Sequence, residues 1–141
     1  MKVNDNMKLD SQLCFPLYAA ARKIVNLYTP HLKPLGLTYT QYIMFLVLWE
    51  EENITVGDLC RRLKLDTGTV TPMLKNTEKQ GLISRTRSEE DERVVVVSLT
   101  EEGKALYKKV KDIPVKIGSC VKLTQDEAAQ LYTTLYKLLE E

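Results

Sequence analysis

Cys14 is the residue of this chain whose position best suits thiol chemistry. Apolar residues recur at helical spacing from about Ser11 to Leu32, which places Cys14 in the first turns of a predicted amphipathic helix. The positive end of a helix dipole stabilises a thiolate, and a thiolate is the species that attacks a peroxide. Cys14 is therefore a candidate redox-sensing residue. The alternative is that it is one more small, buried apolar residue.

Two tyrosines on the same predicted helix are candidates to assist this thiol. Tyr18 follows Cys14 by four residues, so the two side chains share a helical face and lie within reach of each other. Tyr28 returns to nearly that face but lies roughly 21 Å along the axis, at about 1.5 Å per residue. In a continuous helix Tyr28 cannot touch its own Cys14, so a site that uses both requires a second subunit. The alternative is that the tyrosines are core residues.

The other cysteines do not predict a metal site. Cys14, Cys60 and Cys120 have no short pairwise spacing, and the one histidine is His31, so we expect no metal and no cofactor. Cys60 is expected to face the core of a short helix and to be inert. An enzyme with Cys14 as a peroxidatic nucleophile is an alternative, but the sequence offers no Cys-x-x-Cys motif and no nearby histidine base.

The segment from Ile54 to Thr100 has the pattern of a winged helix-turn-helix. It predicts, in order, a helix over Val56–Leu63 capped by Thr55, a break at residues 64–66, a helix from Thr67 or Gly68 to Gly81 with Pro72 near its first turn, and two strands over Leu82–Thr86 and Val94–Leu99. A hairpin of this length is marginal by itself, whereas it suits the wing of a DNA-binding domain.

Local charge and small side chains support DNA contact by this segment. From Arg61 to Arg87 the chain has seven basic and two acidic residues, a local +5 in a chain of net charge +1. We predict major-groove contacts from the start of the second helix and minor-groove contacts from the wing, where Asp91 orients Arg93. The predicted DNA-binding residues are Thr67, Thr69, Thr71, Lys75, Arg87, Asp91 and Arg93. The alternative is an ordinary solvated pair of basic helices.

The remaining segments predict further helices. These are a buried helix over residues 38–52, a helix from 101 to about 120 that Pro114 bends or divides, and a last helix opened by a capping box at Thr124. The predicted fold is mainly α (α+β), a winged helix-turn-helix at 38–100 with dimerisation helices at 1–37 and 101–141, because recognition helices usually work in pairs. The alternative is that both terminal segments pack on their own subunit.

Composition is that of an ordinary globular protein, with 44% hydrophobic and 28% charged residues. No apolar run approaches the roughly 18 residues that a membrane span needs. The polar N-terminus carries no signal-peptide pattern, so a cytoplasmic protein is the default expectation.

With these residues laid out, the chain resembles the MarR family of winged-helix regulators. The wing carries the family's signature, Asp91-Glu92-Arg93, three β-prone residues and Val97-Ser98-Leu99-Thr100. Two further segments resemble the organic-hydroperoxide-sensing branch, often called OhrR. They are Leu13-Cys14-Phe15 with Leu17-Tyr18-Ala19-Ala20, and Gly36-Leu37-Thr38-Tyr39-Thr40-Gln41-Tyr42.

The resemblance implies a homodimeric repressor that binds a palindromic operator in double-stranded DNA and leaves it when a hydroperoxide or other oxidant oxidises Cys14. It also implies that the sensing cysteine is held by two tyrosines across the dimer, here Tyr28 and Tyr39, and that Cys120 stands where some members carry a second cysteine that captures the sulfenic acid as a disulfide. Two alternatives are the related staphylococcal redox regulators and a regulator that responds to a small phenolic or aromatic ligand.

Overall fold

The computed structural model describes residues 1–140, in which seven α-helices accompany a three-stranded antiparallel sheet. The helices are α1 (Cys14–Leu32), α2 (Tyr39–Glu50), α3 (Val56–Leu63), α4 (Thr67–Lys79), α5 (Glu101–Val110), α6 (Ile113–Cys120) and α7 (Gln125–Leu139), and the strands are β1 (Asn53–Thr55), β2 (Ile83–Arg87) and β3 (Val95–Leu99). The predicted fold class, mainly α with a winged helix-turn-helix, is confirmed.

Left-handed residues end three of the helical segments. Gly81 (φ 74°) follows α4, Lys64 (φ 51°) follows α3, and Gly36 (φ 69°) follows the short 3-10 turn that extends α1. After α4 the backbone N–H of Leu82 donates to the Thr77 carbonyl, the hydrogen-bond pattern of a Schellman motif. The predicted end at Gly81 and the break at residues 64–66 are therefore confirmed.

Side-chain caps begin five of the seven helices within residues 1–140, all except α1 and α6. Thr55, Thr100 and Thr124 accept hydrogen bonds from backbone N–H groups in the first turns of α3, α5 and α7, as predicted. The Asp66 carboxylate caps α4 in the same way, and Thr38 forms a capping box with Gln41 at the start of α2. The predicted division of the segment after the wing is also confirmed, since α5 and α6 are separate helices with Pro114 at the start of α6.

Several predicted boundaries were wrong. The first helix begins at Cys14 rather than about Ser11, because Leu9–Ser11 forms a separate 3-10 turn. The second helix spans 39–50 rather than 38–52, because Thr38 is its cap and the chain leaves it to form β1, which was not predicted. The first wing strand lies one residue later than expected, and the second begins one residue later but ends at Leu99 as predicted. Pro72 lies in the second turn of α4, where its missing N–H removes an intrahelical hydrogen bond.

The sheet has the strand order β1-β3-β2, so β3 is central. Val97 of β3 pairs with Ile54 of β1 on one side and with Arg85 of β2 on the other. Val97, Ile54 and Ile83 are buried, and they join one core that extends from Leu32 at the end of α1 to the buried faces of α5 and α6. The sheet thus fixes the wing to the same core that holds the helix-turn-helix.

The outer parts of the terminal helices do not enter this core. Helix α7 has no buried residue, and its apolar side chains lie at the surface. Leu13 before α1 and Val115 in α6 are each 78% exposed. The exposed large apolar side chains of these segments are Leu13, Phe15, Leu17, Ile24, Val115, Leu123, Leu131, Leu138 and Leu139. Within residues 1–140, no helix is long and apolar enough to cross a bilayer.

Gly103 packs α5 against the chain that precedes β2, and this contact is testable. A Cβ at Gly103 would lie 2.1 Å from the Leu82 carbonyl oxygen, so Gly103→Ala forces the backbone apart. We expect the free energy of unfolding to fall by about 1–3 kcal/mol, measured by urea denaturation at one protein concentration. Gly118→Ala, where a Cβ meets nothing within 4 Å, is the control and is expected to be neutral or slightly stabilising.

Candidate functional site

Helix α4 presents its first turns to solvent, as a recognition helix must. Thr67, Thr69 and Lys75 are exposed and Thr71 is half-buried, while Val70 and Leu74 on the opposite face are buried in the core. The Asp66 carboxylate accepts a hydrogen bond of 2.7 Å from the Thr69 N–H. A carboxylate therefore already occupies the helix N-terminus, which leaves the side chains, rather than a free N-terminal anion site, for DNA contact.

The wing lies beside the start of this helix. One surface concavity is lined by Thr67 and Thr71 of α4, Gly57 of α3, and Arg93 of the wing. Arg93 is exposed, and the Asp91 carboxylate accepts hydrogen bonds from its backbone N–H (3.0 Å) and its Nε (3.3 Å). Arg87 donates to the Glu92 carbonyl at 2.9 Å. The structure thus brings Thr67, Thr71 and Arg93 to one groove, with Asp91 bonded to Arg93. Thr69, Lys75 and Arg87 are not among the residues that line it.

Ion pairs reduce the net positive charge that was counted from Arg61 to Arg87 in the sequence. Arg85 donates to Glu78 from both Nε (3.1 Å) and Nη2 (2.7 Å), and this hydrogen bonding lowers the pKa of the Glu78 carboxyl below its ordinary value. Arg61 pairs with Asp58, and Arg62 pairs with Glu50 and Glu51 at the end of α2. Those acids lie outside the window that was counted. The basic residues without such a pair there are Lys64, Lys75, Lys79 and Arg87.

The three thiols are unbonded and differ in exposure. Cys14 is exposed at the first residue of α1, Cys120 is exposed at the last residue of α6, and Cys60 is buried in α3. The prediction that Cys60 faces the core is confirmed, and the alternative that Cys14 is buried is wrong for the single subunit. An exposed thiol at the start of a helix has the access that oxidation by a peroxide requires.

A cluster of three tyrosines lies at the other end of α1. The ring centroid of Tyr28 is 5.1 Å from that of Tyr39 and 5.3 Å from that of Tyr42, the two latter residues lying in the first turns of α2. Helix α1 is continuous over Cys14–Leu32, so this cluster is roughly 21 Å along the axis from Cys14 of the same subunit. Tyr18 is 60% exposed and lies under the Arg22 guanidinium, away from this cluster.

Tyr42 was missed by the sequence analysis, although its spacing of three residues from Tyr39 was a usable signal. Burial raises the pKa of Tyr28 and Tyr39, and burial together with its two neighbours raises the pKa of Tyr42 to about 12. At neutral pH the three phenols therefore keep their protons. Each can donate a hydrogen bond to an anion such as a thiolate.

Comparison with known proteins places this architecture in a family. A model of the SarA/Rot transcriptional regulators matches residues 26–110. The chain belongs to the SarA/Rot family of winged-helix regulators, which are of the MarR type. It is 52% identical over 136 residues to an organic hydroperoxide resistance transcriptional regulator of Bacillus subtilis (strain 168). The matched region covers 96% of this chain and 92% of that protein. The predicted resemblance to this branch is confirmed.

Two solved structures are similar to this SarA/Rot-family chain over nearly its whole length. Reduced AbfR bound to DNA has a TM-score of 0.79 and 37% identity, covering 96% of this chain and 94% of that chain. The disulfide-formed AbfR has a TM-score of 0.66 and 35% identity, covering 97% and 96%. The described fold is thus closer to the DNA-bound reduced relative than to the disulfide form.

The tyrosine cluster of this SarA/Rot-family regulator predicts a specific loss of stability at high pH. The folded state raises the pKa of Tyr42 from 10.0 to about 12. The stabilisation of the folded state by the protonated Tyr42 phenol is therefore complete below pH 10 and is lost as the pH rises towards 12. We expect Tyr42→Phe to lose less stability than the wild type between pH 9 and 11.5 in urea denaturation. Tyr18→Phe removes an exposed phenol and is the control; an equal loss in all three proteins would contradict the prediction.

Proposed function

We propose that this SarA/Rot-family regulator is a DNA-binding repressor that senses organic hydroperoxides or other oxidants through Cys14. One observation carries the proposal: a helix-turn-helix with a wing and an exposed thiol at the start of a helix occur in one chain. The relative at 52% identity is named for organic hydroperoxide resistance, and one structural relative is bound to DNA in its reduced form. A regulator of this kind needs one oxidation per molecule and no turnover.

DNA contact is assigned to α4 and the wing. Thr67, Thr69, Thr71 and Lys75 approach base edges and phosphates in the major groove, because their side chains are short or flexible and lie on the solvent face of α4. Arg93 and Arg87 enter the minor groove from the wing tip, and Asp91 holds Arg93 in position through the two hydrogen bonds described above.

The sensing site is assigned to two subunits of a homodimer that binds a palindromic operator. Tyr28 and Tyr39 of one subunit face Cys14 of its partner, because the length of α1 keeps them from their own Cys14. The exposed apolar side chains of α7, of the start of α1 and of Val115 support an interface built from the terminal helices. The proposed dimerisation segments are therefore residues 1–37 and 101–141. Tyr18 of the same subunit as Cys14 adds an aromatic wall.

The proposed reaction has two steps. The Cys14 thiolate attacks the peroxide ROOH, the O–O bond breaks, sulfur gains OH as a sulfenic acid, and RO⁻ takes up a proton to leave as an alcohol. The Cys120 thiolate then attacks the Cys14 sulfur, the S–O bond breaks, and hydroxide leaves as water after protonation, so that a disulfide forms. Sulfur is oxidised and the peroxide is reduced. Closing this bond shifts the terminal helices and so changes the spacing of the two recognition helices.

Substitution of each cysteine tests the sensing assignment. The DNA probe is a duplex selected from a random pool with the reduced protein, and binding is measured by gel shift before and after one equivalent of cumene hydroperoxide. Because we propose that the disulfide joins Cys14 of one subunit to Cys120 of the other, we expect the wild type to release DNA and to show a dithiothreitol-reversible dimer band on a non-reducing gel. Cys14→Ser keeps DNA binding and ignores the peroxide, whereas Cys120→Ser loses the disulfide band.

The buried Cys60 provides the matched control for this experiment, because Cys60→Ala removes a thiol without touching either proposed redox position. It is expected to respond as the wild type does. Wild-type binding that the oxidant leaves unchanged would overturn the proposal. Loss of binding by Cys14→Ser after the same treatment would assign the sensing role to another residue.

Removal of Arg93 tests the assignment of the wing. We expect Arg93→Ala to weaken binding to the selected duplex by about tenfold, the loss of one groove contact worth roughly 1.4 kcal/mol. The salt dependence of binding should also become shallower. Lys116→Ala removes the same charge from α6, outside the winged domain, and is expected to bind as the wild type does. Equal affinities of the Arg93 and Lys116 variants for the duplex would contradict the proposal that the wing contacts DNA.

A further inference from the structure

The core of the chain contains one polar link between the start of α2 and the end of the recognition helix. Gln41 (2% exposed) and Thr77 (0%) are the buried polar residues within residues 1–140, and they are bonded to each other, with Gln41 Nε2 donating to Thr77 Oγ1 at 2.8 Å. Gln41 lies in the first turn of α2 and Thr77 in the last turns of α4. A buried polar pair in an otherwise apolar core is costly unless every partner is present.

Both N–H groups and the oxygen of the Gln41 amide are hydrogen-bonded. Its oxygen accepts from the Thr38 N–H at 3.0 Å, and its second N–H donates to Gln80 Oε1 at 2.8 Å. Because the Thr38 N–H can only donate, the amide oxygen must face it and the amide nitrogen must face α4. The Thr77 hydroxyl donates its own proton to the Met73 carbonyl at 2.8 Å, so it must accept from Gln41. The network therefore has one arrangement.

Gln80 connects the end of α4 to the turn that precedes α2. It lies at the C-terminal cap of α4, accepts from Gln41, and donates from Nε2 to the Gly36 carbonyl at 2.9 Å. Gly36 is the left-handed residue where the chain turns from α1 towards α2. The end of the recognition helix is thus bonded to Gly36 in the turn between α1 and α2 and to Gln41 in the first turn of α2.

We propose that Gln41 is a positioning residue that couples the tyrosine cluster to the recognition helix. Gln41 is flanked by Tyr39 and Tyr42, whose rings contact Tyr28. A displacement of these rings moves the first turn of α2, and α4 follows, because separating the two would leave buried amide and hydroxyl groups without partners. This inference rests on the proposed function, in which the tyrosines face the partner's thiol.

The test is the ratio of the dissociation constants for the selected duplex after and before oxidation by one equivalent of cumene hydroperoxide. Thr77→Val removes the hydroxyl and keeps the shape of the side chain, and Gln41→Met removes the amide. We expect each variant to have a ratio at least about fivefold smaller than that of the wild type. Thiol alkylation and mass spectrometry should show that Cys14 is oxidised to the same extent in the variants and in the wild type. The double variant should have the same ratio as Gln41→Met alone, since that variant has already lost the bond to Thr77.

Two controls separate coupling from plain loss of stability. Val110→Ala makes a cavity at a buried site of α5 and is expected to lower stability while keeping the wild-type ratio. Thr77→Ser retains the hydroxyl and is expected to restore the ratio that Thr77→Val loses. If Thr77→Val folds poorly, Gln80→Met cuts the same link at an exposed position and is expected to reduce the ratio in the same direction.

The outcomes distinguish this inference from the function on which it rests. A wild-type ratio retained by Thr77→Val, Gln41→Met and Gln80→Met would overturn the coupling role and leave the redox-sensing function standing. A ratio lost equally by Val110→Ala would also overturn it, because the effect would then follow stability alone. A wild-type protein with a ratio of one would overturn the proposed function and the coupling role together.

Discussion

The rise of an α-helix sets the geometry on which the proposed sensor depends. Helix α1 is continuous from Cys14 to Leu32. At a rise of about 1.5 Å per residue, the Cys14 thiol lies roughly 21 Å along the axis from Tyr28. Pro30 does not shorten this distance, since it lies after Tyr28 in the last turn. A thiol and tyrosines at opposite ends of a rigid rod can meet only when two rods lie antiparallel. Dimerisation is therefore part of the proposed chemistry, and the exposed apolar helices at both ends of the chain provide the surface for it.

Local signals in the sequence predicted the helix boundaries best where a single residue decides the backbone. Gly81 ends α4 because its left-handed conformation suits glycine, and Thr55, Thr100 and Thr124 cap their helices through one hydroxyl each. Strand β1 was missed for the opposite reason. It has three residues, and its partners on β3 lie more than forty positions away, with Asn53 opposite Ser98. Nothing within a window of ten residues indicates that pairing.

The candidate site shows the same division. Cys14, Arg93 and the threonines of α4 were predicted as site residues because composition and spacing mark them. Gln41 was not predicted, because α2 is apolar nearly all round and the sequence gives no reason to prefer one face. Tyr42 was not predicted either, although its spacing from Tyr39 was a usable signal. The positive charge was overestimated because Arg62 and Arg61 find their acids outside the counted window. Charge at an interface depends on pairs that only the fold brings together.

The two ends of the recognition helix are held in different ways. At its C-terminal end, Thr77 and Gln80 are bonded to α2 and the preceding turn, and Thr100 Oγ1 donates to the Gly81 carbonyl at 2.7 Å. At its N-terminal end the polar bonds are local ones from Asp66, and Thr67 and Thr69 lie in solvent. A displacement transmitted through Gln41 therefore enters at the fixed end and is largest at the free end. The residues proposed to contact bases lie at that free end, about ten residues or roughly 15 Å away, so a small rotation of α4 is enough to move them out of register with the groove.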